Sequence, residues 1–341
     1  MNASSSTARP QSETGDRRTP RELLEAAVAY AVLAPSSHNT QPWRFAIEGD
    51  ALLLFADRTR AMPVADPGHR ELLMSCGAAL FNLRTALQEW GYAVRTELLP
   101  DDSRADLLAR VTIAPGRPST MELRALVAAM GRRHTHRAPF ADTPLPGWLL
   151  QELGVAADCE GAWLAALHGP ELTRAAELVG AASRVQLRSG AFRREQATWL
   201  RPNATRRPDG IPGYALGMGW LKAALAPIAV ALFDAGRMQS RQDIARARRA
   251  PALVVVGTEG DSRRDWLVAG QALQRTLLTA AMRGVSASFL NAPVQVQQTR
   301  SALLELTARR GAPQVLLRLG YGGEVRATPR RVPTEVLRET A

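Results

Sequence analysis

Hydrophobic residues recur at helical spacing over residues 23–32 and again over residues 72–90. The first pattern follows Thr19, Pro20 and Glu22, which together form a capping-box signature, and it predicts a helix that Pro35 stops. The second pattern is a wide apolar stripe that ends at Gly91, in the position where glycine commonly closes a helix. It predicts a long helix at the centre of the fold.

Short apolar runs predict β-strands around these helices. The predicted strands cover residues 43–47, 52–55, 94–99, 252–256 and 314–319, and a further helix is predicted over 121–130. Residues 1–18 show no periodicity and predict a disordered tail. Residues 183–219 are rich in proline, glycine and tryptophan, and we expect a long ordered loop or lid there.

The central helix has a second copy at a constant offset of 193 residues. The matched positions are Gly77, Ala79, Leu80 and Gly91 with Gly270, Ala272, Leu273 and Gly284. An apolar run precedes each copy, so the order of strand, polar loop, long helix and terminal glycine occurs twice. This repetition indicates an internal duplication, with two unrelated amphipathic helices as the alternative.

The composition of 341 residues, 46% hydrophobic and 22% charged, is that of a globular protein. The 43 basic and 32 acidic side chains give a formal charge of +11, which first suggests nucleic acid or an anionic membrane as partner. However, Lys222 is the only lysine, as is typical of a chain from a GC-rich genome, and the arginines are scattered. We therefore expect neither nucleic acid nor a membrane as a partner.

Cysteine content and hydropathy bear on location. Cys76 and Cys159 are too few for a disulfide framework. The longest apolar candidate, residues 223–233, is shorter than the ~18 residues that a spanning helix needs. We expect a cytoplasmic protein.

A dense polar motif, PSSHNTQPW at residues 35–43, lies between a predicted helix and a predicted strand. Six consecutive hydrogen-bonding side chains suit a flat polar ligand, and a capping turn rich in Ser and Asn is the alternative. Walker loops, nucleophile elbows and zincin helices are missing, and the glycines at 320–323 follow a strand without opening a helix.

A basic motif, RRHTHRAPF, covers residues 132–140. Its arginines, hydroxyl and backbone N–H groups could hold a phosphate, and a solvated basic turn is the alternative. His134 and His136 have no carboxylate or cysteine at ligand spacing, so we expect no metal.

Together these motifs resemble the FMN-dependent nitroreductase family, in its duplicated, Acg-like branch. Residues 34–43 resemble the family's flavin loop, and residues 133–140 resemble its phosphate motif with one extra proline. Residues 270–284 resemble its central helix, and residues 319–331 its closing strand and basic tail. The resemblance implies an α+β, nitroreductase-like fold: an internally duplicated pseudo-dimer with central antiparallel or mixed sheets flanked by helices.

The resemblance also implies roles for individual residues. The FMN phosphate would be bound by Arg133, His134 and Thr135, with Arg330 or Arg331. The ribityl chain and the ring edge would be lined by Ser36, Ser37, Asn39 and Gln41. Backbone groups on the N5 side of the ring would come from Leu290, Asn291 and Ala292. Arg137 would lie near N1 and O2 and stabilise the anionic reduced flavin, which makes it the candidate catalytic residue.

The flavin loop would belong to a first half, residues 19–130, and the phosphate motif would open a second half, residues 131–341, with a lid-like insertion at 183–219 and a basic tail. One complete site per chain is implied, in a monomeric pseudo-dimer or a homodimer. The implied enzyme passes hydride from NAD(P)H through flavin N5 to a small-molecule electron acceptor of the nitroaromatic or quinone type. The alternatives are a flavin-sequestering, redox-responsive protein with little turnover and an FMN oxidase of secondary metabolism.

Overall fold

The computed structural model describes residues 18–338, so the tail predicted as disordered lies outside the described residues except for Arg18. The helices are α1 (Pro20–Ala31), α2 (Arg70–Glu89), α3 (Met121–Met130), α4 (Gly147–Asp158), α5 (Gly169–Arg188), α6 (Gly190–Thr198), α7 (Trp220–Leu232), α8 (Gly236–Arg248), α9 (Arg263–Met282), α10 (Ala292–Gln295), α11 (Gln297–Glu305) and α12 (Pro333–Val336). The strands are β1 (Trp43–Glu48), β2 (Ala51–Ala56), β3 (Tyr92–Leu98), β4 (Leu107–Pro115), β5 (Trp163–Leu167), β6 (Leu200–Arg201), β7 (Ile211–Pro212), β8 (Ala252–Thr258), β9 (Val285–Phe289), β10 (Ala312–Tyr321) and β11 (Leu337–Arg338).

Local signals in the sequence set several helix ends. The capping box of α1 is formed, because Glu22 N donates to Thr19 Oγ1 at 3.2 Å and Thr19 N donates to the Glu22 carboxylate at 2.7 Å. Gly91 and Gly284 follow the last turns of α2 and α9 with φ of +88° and +71°. Glycine adopts this left-handed backbone without steric cost, so both helices end where the pattern predicted.

Two sheets repeat one strand order. The first contains β1-β2-β4-β3 and the second β5-β8-β10-β9, with antiparallel neighbours throughout these two sets. The helix α2 joins β2 to β3 as α9 joins β8 to β9. The fold is therefore α+β and internally duplicated, as the resemblance implied. The tail strand β11 adds to the first sheet in parallel with β1, which makes that sheet mixed.

The two copies of the central helix cross at their matched glycines. A Cβ added at Gly77 would lie 2.3 Å from the carbonyl oxygen of Leu267, and one added at Gly270 would lie 2.0 Å from that of Met74. Met74 and Leu267 are themselves related by the offset of 193 residues. The crossing thus has local twofold symmetry, and the small residues allow backbone contact between the halves.

Each sheet packs an apolar face on a separate core. The first core contains Trp43, Phe45 and Leu80, all at most 1% exposed, and the second contains Val254 and Leu317, both fully buried. The central helices face both cores, because Leu267 of α9 joins the first and Met74 of α2 joins the second. The halves are consequently held together by shared apolar packing.

The largest departure from symmetry is residues 168–251 between β5 and β8, here named the inserted segment. The matching strands β1 and β2 are joined by residues 49–50 alone. The expected long loop over 183–219 was wrong for residues 183–198, which lie in α5 and α6 because no proline interrupts them and Ser189 Oγ caps α6. Proline and glycine concentrate after residue 200, where two short strands and turns replace the helices. Over residues 18–338, no helix combines the length and the apolar character needed to cross a membrane.

Candidate functional site

The polar loop between α1 and β1 (residues 35–42) has a strained backbone. His38, Asn39 and Gln41 have φ of 51°, 57° and 53°, in the left-handed region that residues with a Cβ rarely adopt. The loop is braced internally, since Gln41 N donates to Ser36 Oγ at 2.9 Å. Such strain persists only where the surroundings hold it, and it occurs preferentially at functional sites.

The tail after β10 crosses from the second sheet to this polar loop. Asn39 Oδ1 accepts a hydrogen bond from Arg330 Nη1 at 2.8 Å, and Asn39 Nδ2 donates to the Pro329 carbonyl at 2.9 Å. Gln41 Oε1 accepts from Arg331 N at 2.8 Å. Two of the predicted polar side chains therefore hold the two predicted tail arginines in place.

The two tail arginines differ in their surroundings. Arg331 donates to the Gln41 carbonyl at 3.2 Å and lies 3.9 Å from the Asp57 carboxylate. Arg330 hydrogen-bonds only neutral groups, and its Nε is buried without a partner. Of the two candidates, Arg330 is the one with charge available for a ligand.

The basic turn (residues 132–137) lies along strand β9. Thr135 forms a bridge with Ala287, and His136 N donates to the Ala287 carbonyl at 2.9 Å. This pairing directs Arg133 inward, where it is 6% exposed and its Nη2 is 3.4 Å from the Leu33 carbonyl of the first half. Arg132 remains on the surface.

Three arginines at the seam between the halves, Arg133, Arg137 and Arg330, carry charge that no acidic side chain of the described residues pairs with. Burial, and to a smaller extent the nearby charge of Arg330, together lower the pKa of Arg133 to about 9. Burial likewise lowers the pKa of Arg137 and of Arg330 to about 10. Because a buried cation without a counter-charge is costly, the seam is suited to binding an anion.

His134 belongs to the same electrostatic environment. Burial lowers its pKa, and the positive charges of Arg133 and Arg330 lower it further. The imidazole is therefore neutral at pH 7 and can hydrogen-bond a ligand without adding charge.

Glu71, at the start of α2, connects the polar loop to the segment after β9. Its carboxylate accepts from Ser37 Oγ at 2.5 Å, from Gln295 Nε2 at 2.8 Å and from Asn291 Nδ2 at 3.5 Å. Residues 290–292, predicted for the N5 side of a flavin ring, are thus brought to the polar loop. Nothing in the sequence marked Glu71, because an acidic residue in the first turn of a helix usually serves only the helix dipole.

Residues 196–210 of the inserted segment, here named the covering strap, lie against the polar loop. Gln41 Nε2 donates to the Pro208 carbonyl at 2.7 Å, and Asn39 Nδ2 donates to the Gly210 carbonyl at 3.1 Å. His38 contacts Gln196 through its Nε2. The strap thereby uses hydrogen-bonding groups that the sequence predicted to face a ligand.

The covering strap is also fixed by charge. Asp209 accepts from Arg201 at 2.8 Å and pairs with Arg60 of the first half. Burial acts to raise the pKa of Asp209, but the two guanidinium groups outweigh it and lower the pKa below its usual value. Asp209 is therefore ionised at neutral pH and binds the strap to the first half. Neither Arg60 nor Asp209 belongs to a motif that sequence reasoning could single out.

The described part of the chain contains no cluster of side chains that could bind a metal ion. Residues 18–338 contain no group of three His, Cys, Asp or Glu side chains arranged to hold an ion. The candidate site consists instead of hydroxyl, amide and guanidinium groups from both halves.

Comparison with known proteins gives relatives over nearly the whole chain, although no family model matches it. Two Mycobacterium tuberculosis proteins carry the name "Putative NAD(P)H nitroreductase". Rv3131 is 30% identical over 321 residues, which cover 93% of this chain and 91% of the relative. The second, acg, is 27% identical over 338 residues, which cover 94% and 97%. Among solved structures, the FMN-dependent nitroreductase NfnB from Mycobacterium smegmatis, in complex with NADPH, is 16% identical, covers 64% of this chain and 99% of that chain, and has a TM-score of 0.42.

Proposed function

The chain belongs to the NAD(P)H nitroreductase family of oxidoreductases, and from that premise we propose that it binds FMN and passes hydride from NAD(P)H to a nitroaromatic or quinone-type acceptor. The observation that carries the proposal is the set of seam arginines, Arg133, Arg137 and Arg330, without acidic partners. An FMN-dependent enzyme must hold an anionic phosphate and an electron-accepting ring, and cations without acidic partners would suit both.

The residues of the seam fit the phosphate end of FMN. The Nε atoms of Arg133 and Arg330 are buried without hydrogen-bond partners, which a phosphate would supply. His134, Thr135 and Arg133 would act together from the second half, and Arg330 would act from the tail. Arg331 would serve by anchoring the tail, since it faces Asp57.

We assign two side chains of the polar loop to the ligand and two to contacts within the protein. Ser36 and Ser37 would face the ribityl chain and the ring edge with the hydrogen-bonding capacity they have left, since Ser36 Oγ accepts from Gln41 N and Ser37 Oγ donates to Glu71. The side chains of Asn39 and Gln41 position Arg330 and the covering strap, because their donors and acceptors are engaged there. On this assignment Asn39 contributes to phosphate binding through Arg330.

FMN, when bound, supplies a ring that takes up and gives back two electrons. Arg137 would hold a fixed positive charge beside that ring, so negative charge that develops during reduction is stabilised without reorganisation. Arg137 makes no hydrogen bond or ion pair with the described residues, which leaves its guanidinium available for this role. The segment 290–292, joined to the polar loop through Glu71, would offer backbone groups on the other edge of the ring.

We further propose that one chain contains one complete site, with residues 19–130 and 131–341 as its halves. The polar loop comes from the first half, and the seam arginines come from the second. In this arrangement an internal duplication takes the place of a second subunit.

A second candidate function follows from the covering strap. Because the strap hydrogen-bonds Asn39 and Gln41 and is fixed by Asp209, it can exclude NAD(P)H or bulky acceptors from the site. The protein would then retain a flavin with little turnover.

Absorbance spectroscopy distinguishes the reductase function from flavin sequestration. The purified protein, reconstituted with FMN, should show the flavin bands, and anaerobic NADPH should bleach them. Reoxidation by a nitroaromatic or a quinone in the absence of oxygen would then identify the acceptor class. Flavin bands that persist with NADPH would favour sequestration, and failure to retain any FMN would refute both functions.

A matched pair of variants tests the phosphate site. We expect Arg133→Ala to weaken FMN binding by at least about tenfold, since a charge-assisted hydrogen bond contributes about 1.5–3 kcal/mol. Arg248→Ala is the control, because Arg248 forms an exposed pair with Glu177 outside the seam. Equal FMN affinity of the two variants, measured by fluorescence titration, would contradict the assignment.

A further inference from the structure

The helix α7 exposes an apolar face that no other part of the described chain covers. Trp220, Leu221, Leu225 and Ile228 are 71%, 74%, 52% and 61% exposed, and Leu232 at its end is 67% exposed. Phe233, directly after the helix, is 69% exposed. Single exposed apolar residues are ordinary, but a contiguous set of this size marks an interaction surface.

The exposed residues form one stripe along the helix. Leu221, Leu225, Ile228 and Leu232 follow steps of four, three and four residues, so they share one face of α7. Ala223 and Ala226 lie on the opposite face and are buried against the protein. Aromatic residues, Trp220 and Phe233, stand at the two ends of the stripe. The helix is therefore apolar on both faces: the protein covers one of them, and the other faces solvent.

Positive charge is concentrated in the same part of the chain. The inserted segment holds 14 basic and 6 acidic side chains, a formal charge of +8, whereas the whole chain carries +11. Among its basic residues, Lys222 is exposed on α7, and Arg237 and Arg241 are exposed on α8, which begins four residues later. The arginines that appeared scattered along the sequence are therefore biased toward the segment that carries the apolar stripe.

We propose that α7 docks this protein on the surface of an anionic lipid bilayer, which revises the expectation from the scattered arginines that no membrane is a partner. An apolar helix face that carries Lys222 next to the stripe, in a segment of net positive charge, meets both requirements for interfacial binding, because the stripe enters the acyl boundary and the cations meet lipid phosphates. Trp220 and Phe233 suit the headgroup boundary at the two ends of the helix. With 13 residues, α7 is about 20 Å long and lies in the plane of the interface, so this docking differs from a membrane span.

Charge and the apolar stripe together favour an anionic bilayer over a second copy of the chain and over nucleic acid. A second copy of the chain would bring two segments of charge +8 together around a contact between identical stripes, and like charges oppose that association. Nucleic acid would meet the cations but would leave the four aliphatic residues in water. An anionic bilayer complements both the stripe and its charge.

Vesicle flotation tests the proposal with the full chain. We expect the protein to float with vesicles of phosphatidylcholine and phosphatidylglycerol and to remain in solution with phosphatidylcholine alone. Flotation should decrease in ~1 M salt, where surface charges are screened within about 3 Å. Leu225→Gln and Ile228→Gln should each lower the partition coefficient about tenfold, since each removes most of the transfer free energy of a large aliphatic side chain.

The matched control is Val155→Gln, an equally exposed apolar position on α4 at 61% exposure, which should float like the wild type. Trp220→Phe should remove a blue shift of tryptophan emission on vesicle binding. Absence of flotation, or equal flotation with neutral vesicles, would overturn the proposal. A concentration-dependent dimer that Ile228→Gln abolishes, without flotation, would assign the stripe to a second copy instead. Retention on nucleic acid that survives both glutamine substitutions, without flotation, would also overturn it.

Discussion

Substitution of Gly270 by alanine tests the crossing of α2 and α9, on which the relation between the two halves depends. The added Cβ would lie 2.0 Å from the Met74 carbonyl oxygen and 2.9 Å from the Met74 Cα. A carbon atom does not approach a heavy atom to which it is not bonded so closely, so the two helices must move apart by about 1 Å. Backbone atoms are the obstacle, and no side-chain rotation can relieve the overlap.

The expected magnitude is a loss of about 2 kcal/mol in the free energy of unfolding. Overpacking a core costs about 1–3 kcal/mol, and a clash with backbone belongs at the upper end or beyond it. Alanine recovers up to about 1 kcal/mol through its higher helix propensity. Urea unfolding followed by circular dichroism measures the difference.

A second glycine supplies the control. Gly154 lies inside α4 with nothing within 4 Å of an added Cβ, so Gly154→Ala should stabilise the protein by up to about 1 kcal/mol. If Gly270→Ala were as stable as Gly154→Ala, the close crossing would be refuted. The double variant Gly77→Ala with Gly270→Ala should lose less than the sum of the single losses, because one separation of the helices relieves both overlaps.

Three further outcomes follow from the site. Inorganic phosphate should raise the melting temperature of the cofactor-free wild type but not of the Arg133→Ala variant, because only the former has both Arg133 and Arg330 for the anion; differential scanning fluorimetry measures this. Asp66→Asn should stabilise the protein at neutral pH, because burial and then the Glu71 carboxylate raise the pKa of Asp66 in the folded state; urea unfolding should show this gain shrink as the pH falls through the raised pKa, where wild-type Asp66 becomes neutral. Asp209→Asn should speed tryptic cleavage after Arg206 about tenfold, because losing about 1.4 kcal/mol of ion pairing lets the covering strap open more often.

Local signals predicted the repeated framework well, because a short stretch of sequence is sufficient to encode them. The capping box at Thr19 and the glycine after α2 at Gly91 act within one helical turn, and the structure has both helices where they indicate. Helix α3 spans the predicted residues, 121–130. The offset between Gly77 and Gly270 indicated the duplication, and the structure adds the reason for the glycines, namely backbone contact between the two copies.

Features that depend on distant partners escaped prediction. Glu71 reads as an ordinary first-turn carboxylate, and only the folded chain brings it to Ser37 and Gln295. Arg331 resembled Arg330 in the sequence, but Asp57 lies beside only one of them. The orientation of the two tail arginines depends on their contacts with Asn39 and Gln41, which no periodic pattern in the sequence reveals. The assignment of the site residues to FMN remains a prediction that the titrations above can test.

The contact between Asn39 and Arg330 joins positions 291 residues apart. During synthesis from the N-terminus, strands β1–β4 are made long before residue 330, whereas β10 and β11, which complete the two sheets, are made shortly before and after it. The last cation of the seam therefore arrives together with the strands that complete the framework. Closing so long a loop has an entropic cost, and the contact forms fast only when the surface that Arg330 binds is already folded. The order of translation therefore makes anion binding a late event, since the seam gains Arg330 only when the strands that complete both sheets are also being made.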